Sequence, residues 1–162
     1  MLTWGPSCAP GNQPAAYSTW WISGQYVNTF GSVPGHTYCN GGRIMAVRPG
    51  DVLQLDMYKL HKSQVWRQVV RNRRTRSEVT YDINMLDQYQ NNLWFRVELY
   101  DGAVPPLVTF VNTSFSISKW DKDACFVLER GVCGVVGPLR FARNACMAPM
   151  IVLNGEDANC TL

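Results

Sequence analysis

Leu107 to Ser118 reads LVTFVNTSFSIS, and its alternation decides the fold class. Val111, Thr113, Phe115 and Ile117 point one way, while Asn112, Ser114, Ser116 and Ser118 point the other. That period of two belongs to a strand with one buried face. The same pattern recurs in Val52–Lys59, where Leu53, Leu55 and Met57 alternate with Gln54, Asp56 and Tyr58. It recurs again in Leu93–Tyr100, where Phe95, Val97 and Leu99 alternate with Trp94, Arg96, Glu98 and Tyr100. Tyr17–Asn28 (YSTWWISGQYVN) is dense in aromatic and β-branched residues and predicts another strand. Val65–Asn72 and Glu78–Ile83 predict a hairpin around an arginine-rich tip. Ala148–Asn154 (APMIVLN) is an apolar run ending at an Asn-Gly turn signal, which predicts a buried closing strand.

Between these segments lie Pro- and Gly-rich stretches. Residues 29–44 carry four Gly besides Pro34 and predict a long loop. Residues 1–16 read as an irregular arm tied down through Cys8. No window shows a convincing helical period. The expectation is therefore an all-β chain, with residues 17–162 as a single antiparallel sandwich or barrel domain.

The 162 residues suit one domain, and 46% apolar content with 17% charged residues excludes a disordered chain. No apolar run approaches the length of a membrane span. The net charge of +3 is small but unevenly placed, with Arg67, Arg71, Arg73, Arg74 and Arg76 close together. Two readings stay open: a phosphate- or glycan-binding patch, or a hairpin tip kept soluble by charge. No aromatic residue interleaves with those arginines, so nucleic acid is not an expected partner.

Cys8, Cys39, Cys125, Cys133, Cys146 and Cys160 form an even set without a CxxC pair, and His36 and His61 are isolated. Disulfides in an oxidising compartment fit this better than a zinc site. The working pairing is Cys8–Cys39, Cys125–Cys133 and Cys146–Cys160. Asn112-Thr113-Ser114 and Asn159-Cys160-Thr161 are glycosylation triplets that agree with secretion. Met1–Pro6 has neither a basic nor an apolar signal region, so a removed signal peptide is expected, with a cytosolic chain as the alternative.

The chemistry-bearing strand is Leu93–Tyr100. One face of it would display Trp94, Arg96, Glu98 and Tyr100, too aromatic for plain surface and too charged for core. An aromatic-lined cleft accommodates both, and Glu98 there would act as general acid or base. The alternative is a structural Arg96–Glu98 ion pair. Asp56 and Gln54 could line the same cleft. There is no GxSxG elbow, phosphate-binding glycine loop or calcium-type Asp/Asn cluster, and no cofactor is expected.

As an ordered series, Tyr17–Trp21, Pro49–Gln54, Arg71–Ile83 (RNRRTRSEVTYDI), Phe95–Glu98 and Met150–Asn154 resemble segments of the fungal glutamic peptidases (eqolisins). That resemblance implies a two-sheet, antiparallel, concanavalin-like (jelly-roll) sandwich and places Glu98 where the family has its catalytic glutamate. The family's glutamine partner lies upstream of its aromatic strand, a register that falls near Pro6 here. Gln13 and Gln25 are the nearest glutamines, and neither sits in a matching motif. Without that carbonyl-polarising group, proteolysis loses a large electrostatic contribution.

Three expectations follow. In the first, Glu98 performs acid/base chemistry (isomerisation, cyclisation or hydrolysis) on a small, largely apolar molecule. Arg96 and Asp56 would be its charge partners. Trp94, Tyr100, Trp20, Trp21, Gln54, Tyr58 and Gln25 would shape the pocket. In the second, the sheet is a non-catalytic carbohydrate- or peptide-binding module. A residual acid peptidase using Gln25 is a third.

Overall fold

The computed structural model describes residues 2–4, 19–27, 39–86, 94–96, 107–116, 134–153 and 159–161; among these, Leu2–Trp4, Cys39, Trp94–Arg96, Gly134–Val136 and Asn159–Thr161 are described by backbone alone. The described residues contain no helix and form several antiparallel sheets, so the chain is all-β. The chain divides into two compact units, Met1–Tyr89 and Gln90–Leu162.

In the first unit, β1 (Leu2–Trp4), β2 (Trp20–Ile22) and β5 (Met45–Val47) form one sheet in the order β1-β2-β5. Leu2–Trp4 thus adds a strand inside the stretch read as an irregular arm. A second pair joins β3 (Gln25–Val27) to β4 (Cys39–Gly41). The third sheet, β6 (Leu53–Lys59), β7 (Val65–Asn72) and β8 (Glu78–Asn84), runs in sequence order and matches the predicted hairpin closely.

Two expectations are corrected here. Tyr17–Asn28 is not one strand: β2 and β3 belong to different sheets and part at Ser23-Gly24. The residues Cys39–Gly41, expected in a loop, pair with β3. The physical reason for both lies in two glycines. Gly42 N donates to Gly24 O at 3.0 Å, and this bare backbone lies on β8 and β7. A Cβ at Gly24 would sit 2.7 Å from Tyr81 Cβ, and one at Gly42 would sit 2.9 Å from the same atom. Gln68 completes the join, since its Oε1 accepts from Gln25 N at 3.1 Å and its Nε2 donates to Gln25 O at 2.9 Å. A side-chain amide here does the work of a neighbouring strand.

The first core cluster holds Ile22, Met45, Val47 and Val70, with Trp20, Leu53 and Val79 packed against it. It is the contact between the β2–β5 ladder and one face of β6–β7–β8. A second cluster holds Ile83 and Met85 with Tyr26, Trp66 and Tyr81. Only Leu53 of the alternating β6 residues reaches the first. Leu55 and Met57, expected on a half-buried face, are each 51% exposed. Among the described strands β6 is outermost in its sheet, and the covering residues reach Val70 of β7 and Val79 of β8 but not the far half of β6.

In the second unit, β13 (Ala145–Leu153) is central, pairing with β10 (Val108–Ser116) on one side and with β11 (Gly134–Val136) and β12 (Arg140–Ala142) on the other. The apolar run therefore becomes an inner strand, as its continuous hydrophobicity requires. β9 (Trp94–Arg96) pairs with β14 (Asn159–Thr161), Cys160 opposite Phe95. The predicted face of β10 also needs correction. Thr113 and Phe115 are partly buried, but Val111 is 59% exposed and the inward residues before it are Val108 and Phe110. The phase changes at Asn112, which has φ 53° and lies between the Val111–Met150 and Thr113–Ala148 pairs, level with Pro149. β13 changes phase at the same place, from Cys146 and Ala148 to Ile151 and Leu153. Both strands rotate together, so one buried face runs the whole ladder.

Gly24→Ala is expected to lower stability by about 1–3 kcal/mol, because neither backbone can withdraw from the new methyl group. The loss should persist in a Tyr81→Ala background, since the obstructing atom is Tyr81 Cβ. Thermal unfolding of the variants checks this, and an unchanged midpoint for Gly24→Ala would contradict the close approach.

Candidate functional site: a charged grid on the outer sheet face

Register places nine residues of β6, β7 and β8 in three cross-strand rows. Gln54, Arg71 and Glu78 form one, Asp56, Val69 and Thr80 the next, and Tyr58, Arg67 and Asp82 the third. This is the face opposite the core clusters, so its polar residues follow from the alternation of each strand. Val69 at its centre is nevertheless only 3% exposed. Its row neighbours Asp56 and Thr80 are short, and the stems of Arg67 and Arg71 flank it along β7. Long guanidinium side chains can cover an apolar residue while their heads stay in water.

The heads are held by carboxylates. Arg67 Nε donates to Asp82 Oδ1 at 2.8 Å and its Nη2 to Asp82 Oδ2 at 2.6 Å, a bidentate fork. Arg71 Nε reaches Glu78 Oε2 and its Nη1 reaches Asp56 Oδ2, both at 2.6 Å. Gln54 Nε2 donates to the same Asp56 oxygen at 3.0 Å, and Gln54 Oε1 accepts from Arg73 Nη2 at 3.0 Å. Asp82 accordingly has its pKa pushed below the ordinary carboxylate range by Arg67. Arg67 is in turn held protonated more firmly, first by Asp82 and then by Tyr58.

At the upper end of the grid, two turns are clipped together. Gly50, at φ 85°, carries the chain around the Arg48–Asp51 turn. The Asp51 side chain, 2% exposed, accepts from Arg48 N at 3.0 Å and from Asn72 Nδ2 at 2.6 Å, and it also accepts from Arg74 Nε. Asn72, 1% exposed, uses its Oδ1 to accept from Arg74 N at 2.9 Å and Thr75 N at 3.1 Å. Arg74 foremost, with Arg48 N and Asn72, holds the Asp51 carboxyl down at about 2.

The predicted site residues fall in several places. Gln54, Asp56 and Tyr58 lie together on the grid, Tyr58 at 44% exposure. Trp20 packs on the first core cluster, and Trp21 is 1% exposed, so its ring is not offered to solvent. Gln25 is engaged through its backbone by Gln68, and its Nε2 donates to Ser23 Oγ at 2.9 Å. Trp94 and Arg96 are on β9 by backbone, while Glu98 and Tyr100 lie outside the described residues. Cys8, Cys125, Cys133 and His36 lie outside them as well, as do the side chains of Cys39, Cys160 and Asn159. Cys146 is fully buried, and no described cysteine is a free thiol. Asn112 is exposed at the phase change.

The sequence marks Arg67 and Arg71 as members of an arginine cluster, open to a glycan-binding or a solubilising reading, but does not single out their partners Glu78 and Asp82. Their signal was available: opposite charges at positions that a tight hairpin brings face to face. Comparison with family models, with characterised proteins and with solved structures finds no match.

Two measurements probe the site. The depressed Asp51 pKa means that the unfolded chain binds more protons than the native one between about pH 4 and pH 2. Its contribution is complete above the ordinary value of 3.8 and is lost as pH falls through about 2. Asp51→Asn should thus be less stable than the parent at pH 6 and lose less stability on acidification, while Asp82 keeps some slope in both. Urea midpoints from pH 6 to pH 2 show this, and parallel curves would contradict it. On the grid, Arg71→Ala should lower stability by about 1 kcal/mol, and Arg71→Met by clearly less because its stem still covers Val69. Equal losses in urea unfolding would rule out the covering role.

Proposed function

We propose that this chain is a non-catalytic, carbohydrate-binding β-sandwich module that works outside the reducing cytosol. The observation that carries the reading is the grid, where planar amide, carboxylate and guanidinium groups are braced by one another beside the half-exposed ring of Tyr58. Sugars present ring faces that suit an aromatic surface and hydroxyl groups that both donate and accept. A braced array of mixed donors and acceptors meets those hydroxyls without a further loss of side-chain freedom. The Asp56 carboxylate already accepts from Arg71 and Gln54, which favours holding a ligand over delivering a proton.

The same proposal extends to a two-sheet concanavalin-like arrangement, disulfide-linked cysteines and a glycan on Asn112. The packing of β2–β5 on β6–β7–β8, the burial of Cys146 and the exposure of Asn112 support these in turn. A second reading keeps the glutamic-peptidase resemblance and assigns acid/base chemistry to Glu98. Its support is the position of Glu98, one alternation beyond Trp94 and Arg96 of β9.

An array of uncharged oligosaccharides tests the first reading. Tyr58→Ala and Asp56→Asn should each weaken binding about tenfold or more with little change in thermal midpoint, as expected for central contacts on an exposed face. Binding that survives both substitutions, or no binding to any sugar, would overturn it. Turnover of a small molecule that Glu98→Gln abolishes would establish the second reading instead.

A further inference from the structure

The arginine-rich end of the β6–β7–β8 sheet is unevenly neutralised. Arg71 is taken by Asp56 and Glu78, and Arg74 is taken by Asp51. Among the described residues, Arg73 reaches the neutral amide oxygen of Gln54 and no carboxylate, and Arg48 and Arg76 make no ion pair. Five guanidinium groups therefore meet three carboxylates, all three already engaged. At the third row of the same grid, by contrast, Arg67 and Asp82 cancel one for one.

The surplus is also positioned. Asp51 holds Arg48 N and the Arg74 head, Asn72 holds the backbone of Arg74 and Thr75, and Arg73 N donates to Val52 O at 2.9 Å. Arg48, Arg73 and Arg76 thus rise from two turns fixed to each other, and all three are exposed. Arg76 holds the tip at φ 59°, a conformation unfavourable for a side chain of its size. Ordinary solubility needs neither the clip nor a local excess of one sign.

We infer that these arginines form a binding site for a sulfated or uronate-bearing polysaccharide, an inference that rests on the sugar-binding reading and specifies its ligand class. Guanidinium forks match the paired oxygens of sulfate and carboxylate groups. The tip, Asn72 to Glu78, contains no aromatic residue for stacking nucleobases and no apolar residue for entering a lipid surface. Arg73 bonds Gln54, so the cationic end adjoins the ion-paired grid, and one extended chain can cross both.

The test uses the full chain on an immobilised sulfated polysaccharide, with binding measured across a salt series. Arg73→Ala/Arg76→Ala should reduce the salt slope by roughly 1.5, since each lost contact removes about 0.7–0.9, and weaken binding about tenfold at physiological salt. Lys59→Ala/Lys62→Ala, at the opposite end of the β6–β7 hairpin, removes the same charge and should leave the slope unchanged. Equal losses in the two variants would reduce the effect to net charge and overturn the site. So would equal binding to single-stranded DNA or anionic lipid vesicles with the same response to the arginine substitutions. A chain that ignores uncharged oligosaccharides, yet loses slope only in the arginine variant, overturns the grid reading and leaves the arginine site standing. Binding of uncharged sugars with an unaltered slope does the reverse.

Discussion

The described architecture of the first unit hangs on a buried carboxamide at the end of β7. Asn72 has almost no exposure, donates to Asp51 and accepts two backbone N–H groups from the turn that follows. Leaving such groups unsatisfied costs about 1–3 kcal/mol apiece, so one residue dictates the shape of the tip and its distance from the Arg48–Asp51 turn. The order of the arginines comes from this. Arg71, just before Asn72, is turned onto the grid; Arg73 lies over Gln54; Arg74 is drawn to Asp51. A hairpin of the same composition without the amide would carry the same charges in no fixed arrangement.

The grid itself adds little to stability, because its ion pairs are more than one-third exposed and water competes for every partner. Its physical effect is positional. Each arginine is restrained by a carboxylate on a neighbouring strand, and Val69, between Arg67 and Arg71 along β7, is 3% exposed. Stability comes instead from the opposite face, where Ile22, Met45, Val47 and Val70 are removed from water and a glycine-lined backbone lies against Tyr81. One three-stranded sheet therefore separates holding together from presenting charge.

Much of this was legible in the residues. Alternation and turn chemistry located β7 and β8 almost to the residue, because their periods and their tip are local properties. Alternation alone misjudged Leu55 and Met57, since whether an apolar face is covered depends on how far another sheet reaches. The break at Gly24 was likewise hidden: nothing in YSTWWISGQYVN tells that a distant tyrosine will lie against that backbone. At the site, Gln54, Asp56 and Tyr58 were recognised as polar strand residues. Their partners Arg71 and Arg67 show in the sequence only as members of a basic cluster, a glycan patch or a solvated tip alike, because pairing across strands needs the register. Glu98 and Tyr100 lie outside the described residues, so the reading that centres on them still rests on the sequence.

The matched change of phase at Asn112 and Pro149 has a consequence for fidelity of strand assembly. Pro149 offers no amide hydrogen, and it sits in a strand paired on both sides. The observed alignment sets this gap against the left-handed Asn112, where the ladder is already interrupted. A slip of one residue would move the gap opposite an ordinary extended residue and expose Cys146 and Ile151 together. The pair therefore marks the observed register, setting the missing donor against the one residue of β10 that has left the extended conformation.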